Sequence, residues 1–275
     1  MKKTLFDFLE RKGGAPISML TAYDYPTART MNEAGVDMIL VGDSLGNVIL
    51  GYENTLAVTV EDMIHHGKAV CRGAQDTFVV IDMPFMSYQA SVEDAVRNAG
   101  RIIRETGCQA VKLEGGAEYA DRIKAIVQAG IPVVGHIGLT PQSFNTLGGY
   151  RVQGKSLKDA QKLMEDAKAL EEAGAFAITL ECVPEELARL ITERSGVLTI
   201  GIGAGRYCDG QVLVYQDMLS FSDHKIPKFV KQYADVHSVM LEAFRQYKEE
   251  CASRSFPDDE HTFAISEEII EALKG

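Results

Sequence analysis

Short apolar segments recur along the chain, most of them closing on a polar residue: ISMLTAYD (17–24), MILVGD (38–43), TFVVID (77–82), AVKLE (110–114), PVVGH (132–136), AITLE (177–181), LTIGIGA (198–204) and QVLVYQD (211–217). Each is too short and too continuously apolar for a surface helix, so the pattern predicts strands buried on both faces. Between them, apolar residues return every three and four positions over 60–73, 91–107, 119–130 and 156–174, which predicts helices. These helices end at Gly73, Gly107, Gly130 and Gly174, the residue type that most readily takes the left-handed turn after a last helical turn. Strands alternating with helices imply a parallel sheet covered by helices, and eight such units close into a (β/α)8 TIM barrel. An open doubly wound sheet would show the same alternation. The opening MKKTLFDFLERKGG interrupts its apolar residues with Asp7, Glu10, Arg11 and Lys12. That reads as a short amphipathic helix, expected to cap the barrel floor, rather than as a signal peptide. No Pro-, Ser- or Gly-rich linker splits the chain. Residues 1–275 therefore read as a single barrel domain, with 256–275 a polar C-terminal tail ending in a small helix, ISEEIIEALKG.

Composition narrows the partners. The formal net charge is −11, which repels a phosphate backbone and disfavours nucleic acid as a partner. Small-molecule substrates are expected instead. Cys71, Cys108, Cys182, Cys208 and Cys251 are an odd set with no C-x-x-C pair, against a disulfide framework or zinc cluster and in keeping with a cytoplasmic location. No apolar run approaches the roughly 20 residues that cross a bilayer, so no membrane association is expected.

The charges at the strand ends carry the chemistry. AVKLE places Lys112 and Glu114 two positions apart inside a core strand. Side chains alternate along a strand, so both point the same way while Val111 and Leu113 face the helices. In a barrel the carboxyl ends of all strands open onto one mouth, where Asp43 with Ser44, Asp82, Lys112 with Glu114, His136 and Glu181 would converge. An acid after a strand often only forms a turn, which suits Asp24 ahead of Tyr25-Pro26 and is an alternative for Asp43 or Asp82 alone. Glutamate is a weak capping residue, and a buried charge costs several kcal/mol unless paired or metal-bound. Asp43, Asp82 and Glu114 are thus a candidate oxygen-ligand set for Mg2+. Glu181, from the opposite side, is then free to act as a general base, and Lys112 to neutralise a substrate carboxylate or a developing enolate oxygen. The competing reading is a salt-bridged plug of these acids with Lys112.

One motif points elsewhere. GYRVQGKS, residues 149–156, matches the phosphate-loop pattern G-x-x-x-x-G-K-S. A phosphate loop follows an apolar strand, whereas TPQSFNTLG precedes this stretch. GIGAG at 201–205 lacks the G-x-G-x-x-G spacing, and its glycines suit close approach of a ligand to the end of a strand.

Several stretches, in order, are similar to the ketopantoate (3-methyl-2-oxobutanoate) hydroxymethyltransferase family: TAYD (21–24), VGDSLG (41–46), DMPFMSY (82–88), VKLEGG (111–116), GHIGLTPQS (135–143), GGYRVQG (148–154), LECVP (180–184), IGIGAG (200–205) and DGQVLV (209–214). The resemblance implies a (β/α)8 barrel that moves a hydroxymethyl group from 5,10-methylenetetrahydrofolate to 3-methyl-2-oxobutanoate through a Mg2+-stabilised enolate, giving 2-dehydropantoate in pantothenate synthesis. It implies metal ligation by Asp43, Asp82 and Glu114, substrate contacts from Asp43, Ser44, Asp82 and Lys112, and Glu181 as proton acceptor. It also implies His136 in the substrate pocket and a large homo-oligomer, a decamer. GGYRVQG belongs to the family pattern while Lys155 and Ser156 lie beyond it, which makes the phosphate-loop match accidental. Gln216, where a histidine is frequent, and the loop 220–224 depart from the pattern. Lys225, Lys228 and Lys231 are expected to offset repulsion of an anionic folate tail by the acidic protein.

Overall fold

The computed structural model describes residues 2–147, 149, 151–221 and 226–275. Its strands are β1 (Ile17–Thr21), β2 (Met38–Val41), β3 (Phe78–Asp82), β4 (Ala110–Glu114), β5 (Val133–Gly138), β6 (Ala177–Glu181), β7 (Leu198–Ile202) and β8 (Gly210–Leu213). They pair in chain order and β8 pairs with β1, closing a barrel, so the open sheet is excluded. The helices are α1 (Leu5–Leu9), α2 (Tyr25–Glu33), α3 (Leu45–Val48), α4 (Val60–Gly73), α5 (Val92–Thr106), α6 (Ala120–Gln128), α7 (Phe144–Leu147), α8 (Leu157–Glu172), α9 (Glu185–Arg194), α10 (Tyr215–Met218), α11 (Val236–Ser253) and α12 (Glu267–Lys274). Two compact units result: Met1–Tyr215 with Pro227–Lys231, which contains the barrel, and Gln216–Ile226 with Gln232–Gly275. In the second unit, α11 buries none of its residues.

Alternation along the strands sorts the barrel interior by height. Ile17, Met19, Met38, Leu40, Phe78, Val80, Ala110, Val134, Ala177, Leu198, Ile200 and Val212 form one buried apolar cluster. Two residues further along the same strands, the inward positions become Thr21, Asp82, Lys112, His136 and Thr179. The floor is therefore dry, and each fully buried large side chain there contributes about 1.5–3 kcal/mol. Helix α1 seals that end. Phe8 is buried in the same cluster, its ring edge-on to Phe78 at 5.3 Å, and Phe78 in turn meets Phe176 at 6.0 Å.

Two expectations change. The last strand ends at Leu213 and Tyr215 opens α10, because the Tyr215 N–H donates to Thr21 Oγ1 at 3.1 Å instead of continuing the ladder. Gly107, Gly130 and Gly174 do take the left-handed turn, with φ of 77°, 84° and 97°. Gly73 does not. It is the last residue of α4, and a Cβ there would stand 2.5 Å from the Tyr25 carbonyl oxygen, so its role is to let α2 pass close by.

Candidate active site

Register explains how distant residues meet. Asp82 is paired with Lys112 across β3 and β4, Glu114 with His136 across β4 and β5, and Gly138 with Glu181 across β5 and β6. Asp43 and Ser44 follow β2 in a turn that Gly42 permits, since a Cβ on Gly42 would lie 2.8 Å from Ser44 Oγ. These residues line a single cavity of about 100 Å³, with Thr21, Thr179 and Pro141 among the other walls. Every expected site residue is thus at one mouth, and Asp24 is not: it caps α2, accepting from Thr27 N at 2.8 Å.

The charges form a chain. Lys112 Nζ lies 3.0 Å from Asp82 Oδ1 and 3.2 Å from His136 Nδ1. His136 Nδ1 is also 3.4 Å from Glu114 Oε1, and its Nε2 is 3.1 Å from Glu181 Oε2. The contacts to Asp82 Oδ1 and from His136 Nε2 are charge contacts without hydrogen-bond alignment, so both atoms are buried without a hydrogen-bond partner. The Asp43 N–H donates to Asp82 Oδ2 at 3.1 Å, and Tyr23 Oη lies 2.8 Å from Ser44 Oγ. The salt-bridged plug is therefore partly realised in the Lys112–Asp82 pair, yet the cavity beside it remains.

Burial governs the protonation of these groups. Desolvation, with Glu114 and Asp82 nearby, holds the Asp43 carboxyl well above its ordinary range. Desolvation also raises Asp82, against the pull of the Lys112 ammonium. Glu114 is lowered despite its burial, through His136 and Lys112. Burial and Lys112 oppose a charge on His136, but Glu114 and Glu181 outweigh them and its imidazole is pushed up to about 9. Four carboxyl groups thus face one ammonium and one imidazolium, an excess of acids over bases in a largely buried site. That surplus, hard oxygen donors and an Asp82 oxygen without a hydrogen bond suit a divalent cation. Among the described residues, no three His, Cys, Asp or Glu side chains are already gathered as a ligand cage. Instead Lys112 pairs with Asp82 and His136 with Glu114.

Glu181 is aimed by its neighbour. Cys182 takes a left-handed backbone, φ 49°, which costs about 1–2 kcal/mol for a residue with a Cβ. The turn is fastened by Cys182 N–H to Ile202 O at 2.9 Å and Gln153 N–H to Cys182 O at 2.8 Å. Gln142 and Tyr88, not singled out from the sequence, also belong to the site: Gln142 donates to the Asp43 carboxylate and Tyr88 to the Glu114 backbone carbonyl. An amide and a phenol carry no charge signal in a strand-end pattern, although both lie in the quoted stretches GHIGLTPQS and DMPFMSY. Ser156 merely caps α8, accepting from Asp159 N at 3.2 Å, and the short helix α7 stands where a phosphate loop needs a strand. Lys228 and Lys231 are exposed, while Lys225 and residues 222–224 lie outside the described residues.

A closed parallel barrel with acids converging at the carboxyl ends of its strands is the architecture of a (β/α)8 enzyme. Solved structures agree on the fold: 2,3-dimethylmalate lyase, of the PEP mutase/isocitrate lyase superfamily, superposes with TM-score 0.60 at 18% identity over 100% of this chain and 96% of that one. Phosphonopyruvate hydrolase does so at 0.61 and 13%, over 100% and 95%. The family model described as ketopantoate hydroxymethyltransferase matches residues 2–259. The 3-methyl-2-oxobutanoate hydroxymethyltransferase of Syntrophomonas wolfei is 59% identical over 264 residues, 96% of each chain. That of Clostridium novyi is 60% identical over 274 residues, 99% of this chain and 100% of its own. The chain belongs to the ketopantoate hydroxymethyltransferase family. No helix among the described residues is long and apolar enough to cross a membrane.

Proposed function

We propose that this chain transfers a hydroxymethyl group from 5,10-methylenetetrahydrofolate to 3-methyl-2-oxobutanoate, giving 2-dehydropantoate for pantothenate synthesis. The reading includes Mg2+ held by Asp43, Asp82 and Glu114. When bound, the cation supplies Lewis acidity toward the keto and carboxylate oxygens of the 2-oxo acid. The observation that carries the proposal is the convergence of three carboxylates, Lys112 and Glu181 on one small cavity.

The chain's own residues then divide the work. Ser44, held by Tyr23, and Asp43 and Asp82 position the 2-oxo acid. Lys112, kept charged by Asp82 and Glu114 against the cost of burial, opposes the negative charge that develops on the keto oxygen. Glu181 takes the C3 proton, and His136, 3.1 Å away, holds its carboxylate toward the cavity. The nucleophilic carbon attacks the folate-borne methylene, and water releases tetrahydrofolate from the hydroxymethyl product. The same reading includes a cytoplasmic location, Lys228 and Lys231 beside a folate tail, and a decameric homo-oligomer. The test is C3 proton exchange in deuterated water. Glu181→Gln should bind the 2-oxo acid while exchange falls about 10²–10⁴-fold. Undiminished exchange would remove Glu181 from the base role.

A further inference from the structure

We propose that Gln142 is the positioning residue of the carboxylate site: it orients Asp43 and Glu114 together, and cation affinity depends on it. The inference rests on the cation reading of those carboxylates. It starts from a satisfied amide in a place where satisfaction is difficult. Gln142 is 5% exposed, in the single helical turn Pro141–Ser143 that follows β5. Its Nε2 donates to Asp43 Oδ2 at 2.8 Å and to the Met83 carbonyl at 3.0 Å. Its Oε1 accepts from Gln89 Nε2 at 3.1 Å and lies 2.8 Å from Tyr88 Oη, whose single proton is shared with the Glu114 carbonyl at 2.9 Å. The backbone N–H of the same residue donates to Glu114 Oε2 at 2.9 Å.

The orientation of the amide follows from its partners. The Met83 carbonyl can only accept, as can an ionised Asp43, so the end facing them must be the NH2 group. Nothing at that end can be reversed without leaving two acceptors in contact. Both hydrogens of the amide and its carbonyl are therefore committed, and Gln142 has one rotamer available. Asp43 and Glu114 are held from the same residue, one through the side chain and one through the backbone, although they come from opposite ends of a long stretch of chain. Each has one oxygen fixed by Gln142; the other oxygen of Glu114 lies 3.4 Å from His136 Nδ1, and both residues line the cavity.

A residue that turns two carboxylates without touching substrate sets their reach, and such outer partners change metal affinity by about 10–100-fold. The effect belongs to cation binding more than to the chemical step: the KM for the activating cation should rise, while kcat at saturating cation changes less.

The test titrates Mn2+ into the full-length protein, without substrates, by electron paramagnetic resonance. Asp82→Ala is run beside the wild type, and Leu163→Ala, at an apolar position on α8 outside this hydrogen-bond network, serves as a destabilised control. Gln142→Met keeps the length and removes the donors; Gln142→Asn keeps an amide, shortens its reach and guards against loss of folding. Both variants are expected to bind Mn2+ at least tenfold more weakly, with Leu163→Ala unchanged at a comparable loss of Tm. Wild-type affinity in either folded Gln142 variant, or equal weakening in Leu163→Ala, overturns the positioning role. Wild-type protein that binds no Mn2+, or Asp82→Ala that binds it as well as wild type, overturns the cation reading and the inference with it.

Discussion

Lys112→Met separates two roles that a buried ammonium can hold. Methionine has nearly the length of lysine and no charge, so the 4%-exposed position stays filled. In the proposed reaction Lys112 opposes developing oxyanion charge, and its loss should lower kcat by about 10²–10³, as loss of one oxyanion donor does. Toward the cation the sign is opposite. The ammonium stands 3.0 Å from Asp82 Oδ1, the oxygen that a cation needs. At an effective dielectric of about 20, that attraction is about 5.5 kcal/mol before desolvation. Desolvation of two buried ions offsets most of it, and if a quarter survives, about 1.4 kcal/mol opposes the cation, tenfold in an equilibrium constant. Mn2+ titration should therefore show about tenfold tighter binding in Lys112→Met, alongside the fall in turnover. Unchanged or weaker binding would refute competition between Lys112 and the cation for Asp82.

The floor and the N-terminal staple give predictions of another kind. Phe8→Ala removes a buried ring from the aromatic stack and should cost about 3–5 kcal/mol, read as a lower Tm, with kcat nearly unchanged because the site lies at the other end of the strands. A fall in kcat larger than the fall in folded protein would contradict the separation of floor from mouth. Asp37 accepts from Arg11 at 2.7 Å, Lys3 at 2.9 Å and Ser18 N at 3.0 Å. Though burial alone would raise it, Arg11, Ser18 and Lys3 hold this carboxyl well below its usual range. A depressed carboxyl adds stability above its unfolded pKa and loses it as pH falls. Asp37→Asn should then cost about 1 kcal/mol at pH 7 in denaturant melts, with the gap to wild type closing below about pH 4. A gap that does not begin to shrink as pH falls below the ordinary carboxylate range would assign the effect to something other than charge.

Barrel closure and the mouth were legible for one reason: strand alternation is local. Lys112 and Glu114 two apart inside an apolar run imply a shared direction, and the β4 register then delivers them beside Asp82 and His136. Features that depend on a neighbour from elsewhere in the chain were not legible. Gly73 looked like a helix stop because its reason, the Tyr25 carbonyl, sits on another helix. Tyr215 leaves the strand pattern through a hydrogen bond to Thr21, nearly the whole barrel away in sequence. Helix α11 is different: Val236, Met240, Phe244 and Tyr247 recur at helical spacing, so its period is legible in the sequence although none of its residues is buried. Gln142 was silent for the chemical reason that an amide never titrates.

The aromatic plug under the barrel has a consequence for traffic. With Phe8, Phe78 and Phe176 stacked beneath an apolar layer, no water file runs up the axis from below. The chamber is a cul-de-sac, in which whatever lodges deepest must arrive first and depart last. For the proposed reaction, such a dead end would admit a small ion first, a short keto acid next and a bulky carbon donor last.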